Sequence, residues 1–263
     1  MIKTILKKLP FTKKISHWLF KRKLASDYCK CSKNELKQVE FYKKFITKNS
    51  IVFDVGANLG SRAKLFINCN STVVAYEPQP NLCDHLDLYL SGHKRFILNR
   101  KALGHIKGNE IIKLSDAHVL SSMSQRWINA TTASGRFSNY KWDNSITVQV
   151  STLDDEITKY GTPTFIKIDV EGYELNVLKG LTKPIEYISI EFTAEDIDNT
   201  MDCIKYLINI GSCVFNYSIA ESLSFTDKNW IDYKSFKSHL YQSCKINQSL
   251  CCDVYIHLNK LRV

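Results

Sequence analysis

The sequence predicts an α/β fold in which a mostly parallel sheet is covered by helices on both faces, and three observations carry that expectation. Short apolar runs alternate along the chain with amphipathic stretches, as right-handed βαβ crossovers require. The run Ile51-Val52-Phe53 is unbroken by polar residues, as a central strand buried on both faces should be, and it ends in Asp54 and two glycines, Gly56 and Gly60. At 263 residues, with 44% hydrophobic and 24% charged residues, the chain is long enough for one large domain with its own core.

Taken in order, the chain opens with a basic leg. Residues 1–33 hold ten Lys or Arg against one acid, Asp27, so the leg carries +9 of the formal net charge of +10. The remaining body is nearly neutral, and the overall basicity does not indicate a nucleic-acid-binding surface. Within the leg, Ile2, Ile5, Leu6 and Leu9, and after Pro10 Ile15, Trp18 and Leu19, fall at helical spacing. Two short basic amphipathic helices are expected, either lying on an anionic membrane or packed on the body with their lysines solvated. No run reaches the ~20 apolar residues a bilayer span needs, and no h-region of ~7–15 residues marks a secretory signal. A cytoplasmic protein, in contact with a membrane surface at most, is therefore expected.

Residues 34–263 form the second expected unit. A helix over 35–48 leads into a strand at 51–55; a helix at 61–69, a strand at 72–76 ending before Glu77, a helix at 80–91 and a strand at 95–99 follow. The stretch Leu114–Asn144 is rich in Ser and Thr with Trp127, Phe137, Tyr140 and Trp142 interspersed, and reads either as a substrate lid or as a surface insertion. His118 within it has no visible partner and reads as incidental. A strand at 146–150 returns to the pattern; Phe165 to Ile168 and Tyr187 to Ile190 are further strands, and a helix at 194–210, a strand at 213–217, a loop at 221–248 and a last strand at 252–258 close it. The nine cysteines include no C-x-x-C spacing, so free thiols rather than a metal-thiolate site are expected.

The turn after the first strand narrows the ligand. The spacing Gly56-x-x-x-Gly60 fails both the G-x-G-x-x-G dinucleotide fingerprint and the P-loop. An acid at the end of the second strand, Glu77, is placed to accept hydrogen bonds from ribose hydroxyls. The pair points to an adenosyl ligand without a pyrophosphate.

Charges cluster next in the block FIKIDVEGYELNVLKG at 165–180. By the period of two, Lys167 and Asp169 share one side of a buried strand, and Glu171, Glu174 and, after the next strand, Glu191 follow. Buried charges cost several kcal/mol unless paired, so this cluster should lie at a ligand edge or in ion pairs.

DVGANLG at 54–60, YEPQP at 76–80, KALG at 101–104, STLDDE at 151–156 and the block at 165–180 together resemble the FkbM family of S-adenosylmethionine-dependent methyltransferases, over about residues 51–192. The resemblance implies a class I, Rossmann-like methyltransferase sheet whose antiparallel last strand slots between the fifth and sixth. It implies O-methylation of a hydroxyl on a sugar, glycolipid or related small molecule. A nucleic-acid methyltransferase is the alternative, although KIDVEG stands where a D/N-P-P-Y block would be expected; a non-catalytic adenosyl- or glycan-binding module is another. The expected cofactor site is Asp54, Gly56, Asn58, Gly60 and Glu77, with Ala102 beside the adenine by resemblance. Asp169, Glu171, Lys167 and Glu191 are the expected catalytic set, acting either through Mg²⁺ or, the favoured reading, as a metal-free general base tuned by Lys167.

Overall fold

The structure, a computed structural model, describes residues 11–220 and 222–259, with side chains from His17 onward. It holds a seven-stranded sheet built from β1 (Ile51–Val55), β2 (Thr72–Tyr76), β3 (Phe96–Asn99), β7 (Phe165–Ile168), β8 (Tyr187–Thr193), β9 (Ser212–Ile219) and β10 (Cys251–Asn259). The order is β3-β2-β1-β7-β8-β10-β9. The first five pair in parallel, and β10 runs antiparallel between β8 and β9, as the class I arrangement requires.

Alternation along β1 sets the two faces. Phe53 and Val55 join Tyr76, Ile166, Ile168, Ile188 and Ile190 in one core, under α6 (Leu153–Tyr160), α7 (Glu174–Leu178), α8 (Ile197–Ile210) and α9 (Tyr233–Ile246). Val52 joins Val73, Phe165 and Tyr255 in the other, under α2 (Lys33–Tyr42) and α3 (Ser61–Asn68). Ser32 caps α2 with a full capping box, accepting from Glu35 N while Glu35 accepts from Ser32 N.

Several sequence expectations are corrected. The strand expected at 146–150 is β6 (Asn144–Ser151), and it lies outside the main sheet, in a three-stranded sheet with β4 (Ala102–Leu103) and the unforeseen β5 (Gly108–Leu114). The helix expected over 35–48 stops at Tyr42, and the stretch expected to be a loop at 221–248 contains α9. In the leg, the first short helix lies outside the described residues. The second is longer than expected: it lies within α1 (Phe11–Tyr28), which runs along α4 (Pro80–Tyr89). Its apolar side chains wrap around the helix instead of lining one face, because Leu24, Ala25 and Tyr28 turn inward whereas Trp18, Leu19 and Phe20 are exposed. All nine cysteines are free.

Candidate active site

The carboxyl ends of β1, β2, β7 and β8 converge on one cleft of about 910 Å³, measured to include its open mouth. This is where ligands bind in open parallel sheets. At the end of β1 the chain turns through Gly56, with φ of 81°, and the N–H groups of Gly56 and Ala57 both donate to the Tyr76 carbonyl, at 2.9 and 3.1 Å. Gly56 is required by a close approach: a Cβ there would lie 1.8 Å from the Asp169 carbonyl oxygen.

Glu77 is 3% exposed and lines the cleft. Its Oε2 accepts from Asn58 N and its Oε1 from Gln79 N, each at 2.9 Å, so the carboxylate fixes the glycine turn and the start of α4 together. A carboxylate offers about four lone-pair sites, and two remain for a ligand. Burial pushes its pKa up to about 7, against the backbone N–H groups that lower it.

Four of the six expected cofactor residues, Gly56, Asn58, Glu77 and Ala102, line the cleft. Asp54 and Gly60 do not. Asp54 is fully enclosed beneath the turn, opposite Lys167 in the β1–β7 register, and burial raises its pKa to about 6 despite that lysine. Gly60, at φ of 86°, starts α3 where a Cβ would press on Leu90 and Leu86 of the α4 region, at 2.6 and 2.8 Å. Its missing side chain faces that packing and not the cleft. The apolar wall opposite is Leu103, Ile112, Val119 and Met123, a surface suited to a flat base.

The acids gather at the other end. Asp169, Glu171 and Glu191 all line the cleft, and each brings a carboxylate oxygen within 4.8 Å of the others. Lys167 does not line it; it is 3% exposed behind Asp169, to which it is ion-paired. Burial disfavours the Lys167 charge, but Asp169, Asp253 and Asp54 outweigh it and raise the lysine's pKa. Burial likewise disfavours the Asp169 charge, and Lys167 more than offsets it, holding Asp169 ionised. Glu171 and Glu191 are both raised well above the usual carboxylate range, by burial first and then by neighbouring acids, Asp169 foremost. Glu191, which these opposite shifts leave as the protonated partner, stands against ionised Asp169 with their carboxylate oxygens within 4.8 Å.

Glu171 sits in the left-handed region, φ 53°, followed by Gly172 at 87°. Such a bend in a non-glycine residue costs about 1–2 kcal/mol and must be held. Glu174 holds it: Oε1 accepts from Val170 N at 3.2 Å and Gly172 N at 3.0 Å, and Oε2 accepts from Asn199 Nδ2 at 2.9 Å. Ser122 Oγ donates to the Glu171 carbonyl at 2.6 Å, and Trp127 packs on Gly172 so tightly that a Cβ there would lie 2.3 Å from its own. Glu174 is thus a backbone clamp, with no lysine partner.

The stretch 114–144 is a folded cover. It contains a 3-10 turn at His118–Leu120 and α5 (Gln125–Ala133), and Val119, Ser121 and Met123 reach the cleft. Its aromatics do not: Trp127, Phe137 and Trp142 pack with Leu120 and Ile128 into a small core of their own. His118, which reads as incidental in the sequence, lines the cleft with a buried Nδ1 lacking a hydrogen-bond partner among the described residues. Only its place in a polar stretch over the strand ends could have flagged it, together with Tyr173 and Gln79.

A family model described as the methyltransferase FkbM domain matches residues 54–217. Among curated proteins, a hexuronic acid methyltransferase, AglP, of Haloferax volcanii is 27% identical over 158 residues. That match spans 59% of this chain and 59% of the relative. Among solved structures, a precorrin-6y C5,15-methyltransferase from Geobacter metallireducens has a TM-score of 0.43 at 11% identity, covering 86% of this chain and 90% of that one. Fibrillarin from Aeropyrum pernix, determined with S-adenosyl-L-methionine, has a TM-score of 0.40 at 8% identity, covering 80% and 68%. The family match spans more than half of the sequence and contains both ends of the cleft, from Asp54 to beyond Glu191, and the protein belongs to the FkbM methyltransferase family.

Proposed function

We propose that this methyltransferase transfers the methyl group of S-adenosylmethionine to a hydroxyl oxygen of a sugar, glycolipid or related small molecule. One observation carries the reading: a single cleft joins the Gly56–Asn58 turn and Glu77 to the acids Asp169, Glu171 and Glu191. The residues present fit the cofactor. Glu77 keeps lone pairs for ribose hydroxyls, Ala102 and Leu103 offer an apolar wall to adenine, and the acid-rich floor suits a cation. When bound, S-adenosylmethionine supplies a methyl group activated by its sulfonium. Asp54 and Gly60 support this site from beneath and from the helix side rather than through contact.

The chain's own work is to orient the acceptor and remove its proton. Glu171, which lines the cleft and is held in its bend by Glu174 and Ser122, is the general base. Asp169, kept ionised by Lys167, shares a proton with Glu191 and fixes the carboxyls around the acceptor oxygen. This reading is metal-free, because Lys167 already supplies the cation that balances Asp169. No Lys or Arg lines the cleft among the described residues, which supports a neutral hydroxyl over nucleic-acid phosphates. The similarity to a hexuronic acid methyltransferase supports a sugar acceptor. The reading places the enzyme in the cytoplasm with its N-terminal leg in contact with the membrane surface.

Incubation with methyl-labelled cofactor and separate carbohydrate, lipid and RNA fractions tests it. Label in carbohydrate or glycolipid is the expected result. Label in RNA alone would make it a nucleic-acid enzyme, and cofactor binding with no transfer to any fraction would make it a binding module.

A further inference from the structure

We infer that the N-terminal half of α1 docks the enzyme on an anionic lipid bilayer, and that the acceptor hydroxyl is carried by a lipid in that bilayer. The second part rests on the methyl-transfer reading above.

The helix is divided between two environments. From Lys21 onward it is seated on the body: Lys21 Nζ donates to Asp87 O at 3.1 Å and to Ser91 Oγ at 3.2 Å, and Ala25 is fully buried. Tyr28 packs on the His85 and Tyr89 rings, and its hydroxyl donates to Leu59 O at 2.8 Å. Before Lys21, Trp18, Leu19 and Phe20 are 54%, 53% and 56% exposed. Three consecutive helical residues span about 200° of the circumference, so one flat contact with the body could not cover them all. An interface that surrounds the helix could.

Charge selects that interface. Beside the three apolar side chains stand exposed Arg22 and Lys23, with the Arg22 guanidinium 4.6 Å from the centre of the Trp18 ring. Residues 1–33 carry ten cations and one acid, Asp27, which Lys30 pairs at 2.7 Å, and of the remaining cations Lys21 is met by Asp87 of the body at 3.8 Å. Aromatic and apolar side chains among uncompensated cations suit the headgroup boundary of an anionic membrane, where rings enter the acyl edge and cations meet phosphates. RNA would take the cations and leave the apolar side chains in water. None of the described helices is long and apolar enough to cross a membrane, so the contact is peripheral.

The root of the same helix packs on α4, whose first turn adjoins the cleft wall. Tyr28 touches His85 of α4, and α4 begins directly after Gln79, a residue of the cleft wall. Gln79 Nε2 donates to the His118 carbonyl at 3.4 Å, beside Val119 at the mouth. Trp18 stands about 15 Å along the axis from Tyr28, so a docked α1 holds the rim close to the headgroups.

The experiment is sedimentation of the full chain with vesicles of phosphatidylcholine alone or mixed with phosphatidylglycerol, at low and high salt. The expected result is binding to the anionic vesicles only, reduced about tenfold or more in a Trp18→Ser, Phe20→Ser variant. Unchanged melting and cofactor affinity in the variant show that its fold is intact. Equal binding of variant and native protein, or equal binding to neutral vesicles, overturns the docking surface, as does retention by RNA in place of vesicles. These outcomes need no turnover and are separate from failure of the methyl-transfer reading. Label entering water-soluble glycans alone overturns the lipid-borne acceptor and leaves the docking untouched.

Discussion

Replacing Glu77 by alanine tests the cofactor end of the cleft at its most constrained point. Each oxygen of this carboxylate already accepts a backbone N–H, from Asn58 and from Gln79, both at 2.9 Å. The change therefore removes the ribose acceptor and also releases the turn that presents Asn58. A hydrogen bond to a charged group contributes about 1.5–3 kcal/mol, and water entering the space left by the side chain returns part of it. A net loss of about 1–3 kcal/mol corresponds to an affinity lower by about 5- to 150-fold. Calorimetric titration of S-adenosylmethionine into native and Glu77→Ala protein reads this directly, with circular dichroism confirming the fold. Glu77→Gln should fall between them, because its amide nitrogen cannot accept from one of the two N–H groups. A folded alanine variant that binds with native affinity would refute both the ribose assignment and the role of Glu77 in shaping the turn.

Glu174→Ala strands the N–H groups of Val170 and Gly172 and the Asn199 amide, and should lower unfolding free energy by about 2–5 kcal/mol in denaturant titration, with Glu174→Gln losing less. If the two variants are equally stable, Glu174 is not the clamp. Buried Glu77 and Glu174, raised by burial to about 7, and Asp54 and Asp196, raised to about 6, bind protons more tightly in the native state than unfolded. Their stabilisation is complete below about pH 4, the unfolded range, and is lost as pH rises through 6 and 7, so the cofactor-free melting temperature should fall between pH 5 and pH 8. A melting temperature that rises over that interval would contradict the burial of these groups. An Asp169→Asn, Glu171→Gln variant should lose turnover by 100-fold or more, on the order expected for a general base, while native activity survives a chelator. Activity abolished by chelator and restored by Mg²⁺ would turn the acid cluster into a metal site.

The sheet was legible because its strands carry buried apolar residues, Val52 and Phe53, Val73 to Ala75, and Phe165, Ile166 and Ile168, and period two then fixes which residues share a face. The same rule placed Lys167 and Asp169 together, and the strand ends brought Glu77 and Glu191 to one edge. Depth was not legible. Whether Asp54 or Lys167 reaches the ligand depends on the Gly56 turn folding over them, and no local pattern encodes that. The packing of Gly60 was not legible for a similar reason, since its neighbours Leu86 and Leu90 are distant in sequence. The small β4-β6-β5 sheet escaped because β5 is mostly exposed and lacks a run of apolar residues. The aromatics of 114–144 suggested sugar stacking, but Trp127 is the largest fully buried side chain in the structure, and rings that can leave water do so.

The contact between Gly56 and the Asp169 carbonyl has a consequence for how accuracy is shared out in this enzyme. On the proposed reading donor and acceptor are held by opposite ends of the cleft, and methyl transfer demands that they meet at a distance set to a fraction of an ångström. Main chain abuts main chain here, with Asp169 N also donating to Val55 O at 3.0 Å, so the two ends have no side chain between them to flex or to vary. The spacing is therefore a property of the backbone gauge. The apolar wall of Ile112, Val119 and Met123 takes no part in that contact, so a change there leaves the spacing of the two ends undisturbed. A cleft gauged by its main chain can exchange wall residues while the spacing between its two ends is kept.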